Sequence, residues 1–283
     1  MDLTTVLSSA VVAAIVTGVL SYLRERQILD RKAEVDYRSN ARRRLYEAIG
    51  PLRLHLLFAA RDVVDRVVGH VAAFESRGAG WSWNLDPREY YARSFAYRLL
   101  RPLAIGQLIQ RQMSTADFAV DTSSLDLLRF DQAASRMLTG DEILLEHPLA
   151  DWNRQTDHLF GDNLRRAAAS LVAADGDGEP RIIDFAEFTE RLDGKRSPDA
   201  LEDLLAIFGR CTGNLGSNPI FWLRVVGYGH AWNNLLAAQG TALGFRPRTY
   251  DGAEMLRYAN DDTIRRRAAE HVAAFEVVVN QGL

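Results

Sequence analysis

The sequence predicts a mainly α protein: an N-terminal single transmembrane helix, a long juxtamembrane stalk helix and an irregular helical bundle in the cytoplasm. Three observations predict it. Residues Leu3 to Leu23 carry no charge. From Arg24 to Ile49 neither glycine nor proline interrupts the chain. Beyond that, apolar residues recur at helical spacing, and no run alternates clearly enough for a sheet.

Composition sets the outer bounds. The chain has 283 residues, 47% hydrophobic and 25% charged, which fits a folded globular protein and excludes a disordered or collagen-like one. A mean hydropathy of -0.15 excludes a polytopic membrane protein and leaves room for one span. The single cysteine, Cys211, excludes an internal disulfide framework and a four-thiolate metal site.

The first segment, residues 1–23, is expected to be a signal-anchor helix. Fourteen of the 21 residues from Leu3 to Leu23 are apolar, and the rest are Ser, Thr or Gly. As a helix the run measures roughly 31 Å, which matches a bilayer core of about 30 Å. A cleaved signal peptide needs a basic stretch before the apolar run, and only Met1 and Asp2 precede it. The bases lie on the far side instead: Arg24, Arg26, Arg31, Lys32, Arg38, Arg42, Arg43 and Arg44. Positive flanks stay in the cytoplasm, so the expected arrangement is a single pass through the cell membrane, N-terminus outside and C-terminal domain inside. The expected partner is therefore the lipid bilayer. Ala10, Ala14 and Gly18 recur every four residues, a small-residue stripe through which two such helices could associate.

Residues 24–49 are expected to continue as a basic stalk, roughly 39 Å long. Eight bases face four acids, Glu25, Asp30, Glu34 and Asp36, between Arg24 and Arg44. The surplus of +4 suits anionic headgroups, and many charges lie within local pairing distance. Ile28 and Val35 fit a heptad, but Arg42 breaks it, so no coiled coil is expected. Gly50-Pro51 predicts a kink or short break.

Residues 50–283 are expected to form one helical domain. Leu52, Leu56, Val63, Val67, Val71 and Phe74 mark the inner face of its first helix. After a loop with Trp81 and Trp83, Asp86-Pro87 reads as a cap and first turn, opening a helix to about Met113 with a kink at Pro102. Further helices are expected over Ser124 to Leu138, over Asp141 to Glu146, and over Asp151 to about Ala173. Ala174 to Arg181 is the most polar, Gly-rich loop, and Arg181 to Phe185 has the character of one short strand. Ile182 to Leu192 is a short apolar-aromatic segment. Asn218-Pro219 repeats the cap signal and opens a helix whose middle Gly227 and Gly229 weaken. The last helix is expected from Asp262, with Ile264, Ala268, Val272, Phe275 and Val279 inward.

The known chemistries find little footing. Asp175-Gly176-Asp177-Gly178, followed by Asp184 and Glu187, has the wording of a calcium loop. Its spacing fails: aligning Gly178 with the turn glycine leaves Ala173 at the first ligand position, and three extra residues follow the turn. The six histidines have no metal-binding spacing; His158 with Asp162 and His147 with Asp151 are only pairs. Gly194-Lys195 lacks the upstream glycine of a phosphate loop, Gly227 and Gly229 sit in a helical pattern, and Gly216-Ser217 lacks the nucleophile-elbow pattern. No metal and no cofactor are expected. Nucleic acid is not an expected partner either. Net charge is -3, and removing +4 for the stalk and -1 for Asp2 leaves -6 for residues 45–283.

One polar pattern stands out. Arg93, Tyr97 and Arg101 fall at i, i+4 and i+8 of one helix face, with Tyr90 beside them and Arg98 flanking. Grouped guanidiniums attract carboxylate or phosphate. Local pairing is the competing explanation, with Glu89, Asp126, Asp131 or Asp157 as partners. The expected function is a membrane-tethered interaction or regulatory module without catalytic activity, its protein partner unspecified by the sequence. The alternative is an enzyme or binding domain for an anionic small molecule at Arg93, Arg98 and Arg101.

Overall fold

A computed structural model describes residues 3–77, 88–114, 120–121, 123–150, 159–174, 176, 178–194, 199–209, 218–246 and 248–281, with side chains 3–16, 19, 77 and 123 outside the description. The fold is mainly helical, as expected, and among the described residues there are two strands of three residues each.

Helix α1, Leu3–Arg77, is 75 residues long and passes through Gly50 and Pro51 without a break. The expected interruption is absent for a physical reason. Proline removes one hydrogen bond, to the carbonyl of Glu47, and Glu47, Gly50 and Pro51 are all exposed, so water can satisfy that carbonyl. The division between stalk and body also moves: Leu45 and Ile49 are already in the core. Residues 20–40 are exposed on every face. Glu34–Arg38 forms an i,i+4 pair there, and Arg43–Glu47 forms another just beyond. The inner face is the expected one, with Leu56, Val63, Val67 and Val71 buried and Leu52 and Phe74 against the core.

Helix α2, Tyr90–Met113, continues through Pro102, and α3 spans Ser123–Thr139. The cap expected at Asp86-Pro87 and the tryptophans Trp81 and Trp83 lie outside the described residues. Over Asp141 to Glu146 the chain makes successive turns rather than a helix. Leu145 and Glu146 have φ of 50° and 56°, left-handed values that stop helical winding. Arg267 Nη1 holds the Leu145 carbonyl at 2.9 Å.

The long helix expected over Asp151 to Ala173 is also corrected. Residues 151–158 are outside the description, and α4 runs only over Gly161–Ala169. Strand β1, Val172–Ala174, then pairs antiparallel with β2, Pro180–Ile182. The turn between them contains Gly178 at φ 81°, a conformation that favours glycine, and reversal there gives the strand backbone its partners. Helix α5, Phe185–Asp193, follows, then α6, Asp199–Gly209.

Helix α7, Pro219–Leu235, is buried on nearly every side and forms the axis of the body. Asn218 caps it, accepting from the Phe221 N–H at 3.1 Å, with Pro219 in the first turn as expected. A π turn, Leu236–Gly240, ends it. Helices α8, Gly252–Leu256, α9, Asp262–Arg266, and α10, Ala268–Asn280, complete the chain. The expected last helix is thus two, divided at Arg267. α1 packs on α2 and α7, α3 packs on α7, and α10 closes over α3, α7 and α8. One continuous core runs from Leu45 to Val279.

The glycines of α7 are contacts rather than weak points. A Cβ at Gly227 would meet Met137 Sδ and Phe275 at 3.0 Å, and one at Gly229 would overlap the Tyr250 hydroxyl. Among the described residues no helix is long and apolar enough to cross a membrane. Most side chains of the run Leu3 to Leu23 lie outside them.

Candidate functional site

The three arginines singled out by the sequence all project from α2, but they do not converge. Arg93 makes a bidentate pair with Asp193 at the end of α5, at 2.7 and 3.0 Å. That pairing holds the Asp193 carboxyl below its usual range. Arg101 meets Asp62 of α1 at 3.2 Å. Tyr97, between them, gives its hydroxyl to the Ile183 carbonyl at 2.8 Å and so ties the hairpin to α2. Burial raises its pKa.

Arg98 is different. Its Nη1 donates to the hydroxyl and the carbonyl of Ser94, one turn back on α2. The same Ser94 hydroxyl accepts from Arg66 Nη2 of α1 at 2.8 Å. Two cations therefore share one neutral, buried oxygen, and among the described residues neither has a carboxylate within 4.0 Å. Burial and the nearby Arg98 charge lower the Arg66 pKa. His70 lies beside them, edge-on to Phe95. Burial, then Arg66 and Arg98, push its pKa well below the usual imidazole range, so it is neutral at physiological pH. The Tyr91 ring faces the Arg66 guanidinium at 6.0 Å.

These groups line a cleft of about 410 Å³ between α1 and α2, together with Asp62, Asp65, Gly69 and Ala73. Both acids are engaged, Asp62 by Arg101 and Asp65 by Arg248 at 2.6 Å. Arg66 and His70 were missed by the sequence reading because they belong to α1, some thirty positions before Arg98. No spacing rule within α2 could have found them.

The other singled-out groups serve the fold. Asp184 caps α5 by accepting from the Glu187 N–H, and the Glu187 carboxylate accepts from the Asp184 N–H, a capping box. Arg181 also grips Glu187 at 2.6 and 2.7 Å and lowers its pKa to about 2. Asp184 and Glu187 are thus engaged locally. Asp175, Asp177, His158 and Cys211 lie outside the described residues. His147 Nε2 faces Asp261 Oδ1 at 3.1 Å, while its Nδ1 accepts the Leu149 N–H. Both ring nitrogens are thus hydrogen-bonded within the fold. His230 is tied to Glu276 at 2.9 Å, and His271 to the Ile143 carbonyl at 2.8 Å. Among the described residues no group of three ligating side chains could hold a metal. In the N-terminal segment Gly18 is exposed with open space around it, and Ala10 and Ala14 fall where side chains are not described.

Comparison with known proteins gives no match, whether with family models, curated proteins or solved structures.

Proposed function

We propose that the protein is a membrane-tethered helical module, anchored by residues 1–23 and acting in the cytoplasm through interaction or regulation rather than catalysis. One observation carries the reading: α1 runs unbroken from the uncharged segment, through an exposed basic stretch, into the core of the body. The first core helix and the segment suited to a bilayer are one element. The basic flank from Arg24 to Arg44 supports the orientation. The small residues Ala10, Ala14 and Gly18 supply a surface for self-association within the bilayer.

Cell fractionation tests this. The full chain should stay with membranes through an alkaline carbonate wash, and a chain lacking Met1 to Leu23 should leave them. Protease added outside intact cells should spare the body. A full chain found in the wash, or a body digested from outside, overturns the tether or its orientation respectively.

A further inference from the structure

We propose that the cleft between α1 and α2 recognises a phosphate monoester, with the Arg66 and Arg98 guanidiniums as its ligands. The site is independent of the tether. Its geometry starts from Ser94, which is 1% exposed and offers its hydroxyl to both arginines. A hydroxyl has two acceptor positions, and these two donors fill them. It aligns the cations but cannot neutralise them. A guanidinium stays charged under all ordinary conditions, so the mutual repulsion persists until an anion enters.

The surrounding charges do not supply that anion. Asp62 and Asp65 reach the cleft, but each already faces its own arginine, Arg101 and Arg248. His70 is held neutral and adds no third charge. Among the described residues Arg98 Nε and Nη2 donate to no protein group. Arg66 spends Nη2 on Ser94, and the Tyr90 hydroxyl lies close enough to act on its charge. Several N–H donors from two guanidiniums therefore remain for a ligand.

Charge and size select the class. A carboxylate brings one negative charge to two cations. A phosphate monoester brings between one and a half and two at neutral pH, with three acceptor oxygens. The cleft, about 410 Å³, lies within the range of small-molecule sites and exceeds what phosphate alone needs. Gly69 has open space where a side chain would stand, and Tyr91 offers an aromatic wall for the organic part. The ester could be a free small molecule or a lipid headgroup. Arg66 lies 43 residues beyond Leu23 on the same helix, about 65 Å along its axis, which favours the free molecule.

The test uses the full chain in neutral detergent, with inorganic phosphate, phenyl phosphate and dihexanoyl phosphatidic acid as probes against chloride at equal ionic strength. Phosphate should raise the melting temperature of the wild type by about 2–4 °C. In calorimetry, Arg66→Gln and Arg98→Gln should each weaken phenyl phosphate by roughly ten- to a hundredfold. Arg93→Gln, whose parent guanidinium is locked to Asp193, should leave binding unchanged. Should Arg98→Gln lose its far-ultraviolet helix signal, Arg66→Gln and Arg98→Lys carry the comparison. Tighter binding of phenyl phosphate than of the lipid probe supports a free ligand, and the reverse assigns a headgroup to the same site. No phosphate-dependent shift in the wild type, or undiminished binding by both Arg→Gln variants, overturns the proposal.

Discussion

Helix α7 and the outer reach of α1 are both regular helices, yet they have almost nothing else in common. Around α7, Trp222, Val226, Tyr228, Trp232 and Leu235 are all within 3% of complete burial. Even its arginine, Arg224, is 1% exposed and spends its Nη1 on the Met137 and Gly140 carbonyls that end α3. From Leu20 to Asn40 every residue of α1 is exposed, among them Leu23, Ile28, Leu29 and Val35. The first helix is held by what surrounds it, and the second chiefly by its own backbone hydrogen bonds and local charge pairing such as Glu34–Arg38. A side chain's weight in stability should therefore depend on which of these regions it occupies.

The sharpest separation should come from truncating apolar side chains. Trp232→Ala empties a fully buried site and should cost about 3–5 kcal/mol, whereas Ile28→Ala should stay within about 0.5 kcal/mol. Denaturant unfolding of both variants checks this, and a comparable loss at Ile28 would show that something packs on the exposed stretch.

A second contrast concerns Asp131, buried on α3 against Gly106 and Gln110 of α2, with Tyr228 of α7 nearby. Gln110 Nε2 donates to it at 3.0 Å, and burial raises its pKa to about 7. The folded state thus holds this proton more tightly than the unfolded chain, so stability falls as pH rises between the two pKa values. Between pH 5 and pH 8 the loss should be about 2–3 kcal/mol. Asp131→Asn keeps the shape and the acceptor for Gln110 and should remove that slope. Parallel pH profiles for the two proteins would refute the assignment.

The smallest expected effect separates two glycines. Gly229→Ala must displace the Tyr250 hydroxyl from its bond to the Val226 carbonyl, at a cost of about 1–3 kcal/mol. Gly50→Ala enters open space on an exposed helix and should stabilise by up to about 1 kcal/mol. Thermal melts of the two variants should move in opposite directions.

Local rules in the sequence reached as far as local interactions do. Asn218-Pro219 announced the start of α7, and the spacing of Leu56, Val63 and Val67 marked the buried face of α1. Expected bounds of Ser124 to Leu138 for α3 fall one residue short at each end. Of the hairpin, the strand expected over Arg181 to Phe185 is found as β2, Pro180–Ile182, while its partner β1 escaped because a three-residue strand is too short to display alternation and Val172 and Ala173 also continue a helical pattern. Asp184 and Glu187 form a capping box, a signature readable in sequence but read first in the terms of a calcium loop. What remained illegible depends on other elements: the roles of Gly227 and Gly229 are set by Phe275 and Tyr250, and the company of Arg98 is set by α1. Periodicity along one helix carries no information about which residue of another helix will face it.

The continuity of α1 also makes it a mechanical shaft. A helix advances about 1.5 Å and turns about 100° per residue. Inserting a single residue into the exposed stretch would turn the body by that angle relative to the N-terminal segment, while inserting seven would bring it almost back into phase. The same helical phase fixes the angle between the N-terminal segment and the face that carries Arg66 and His70, where α1 meets α2.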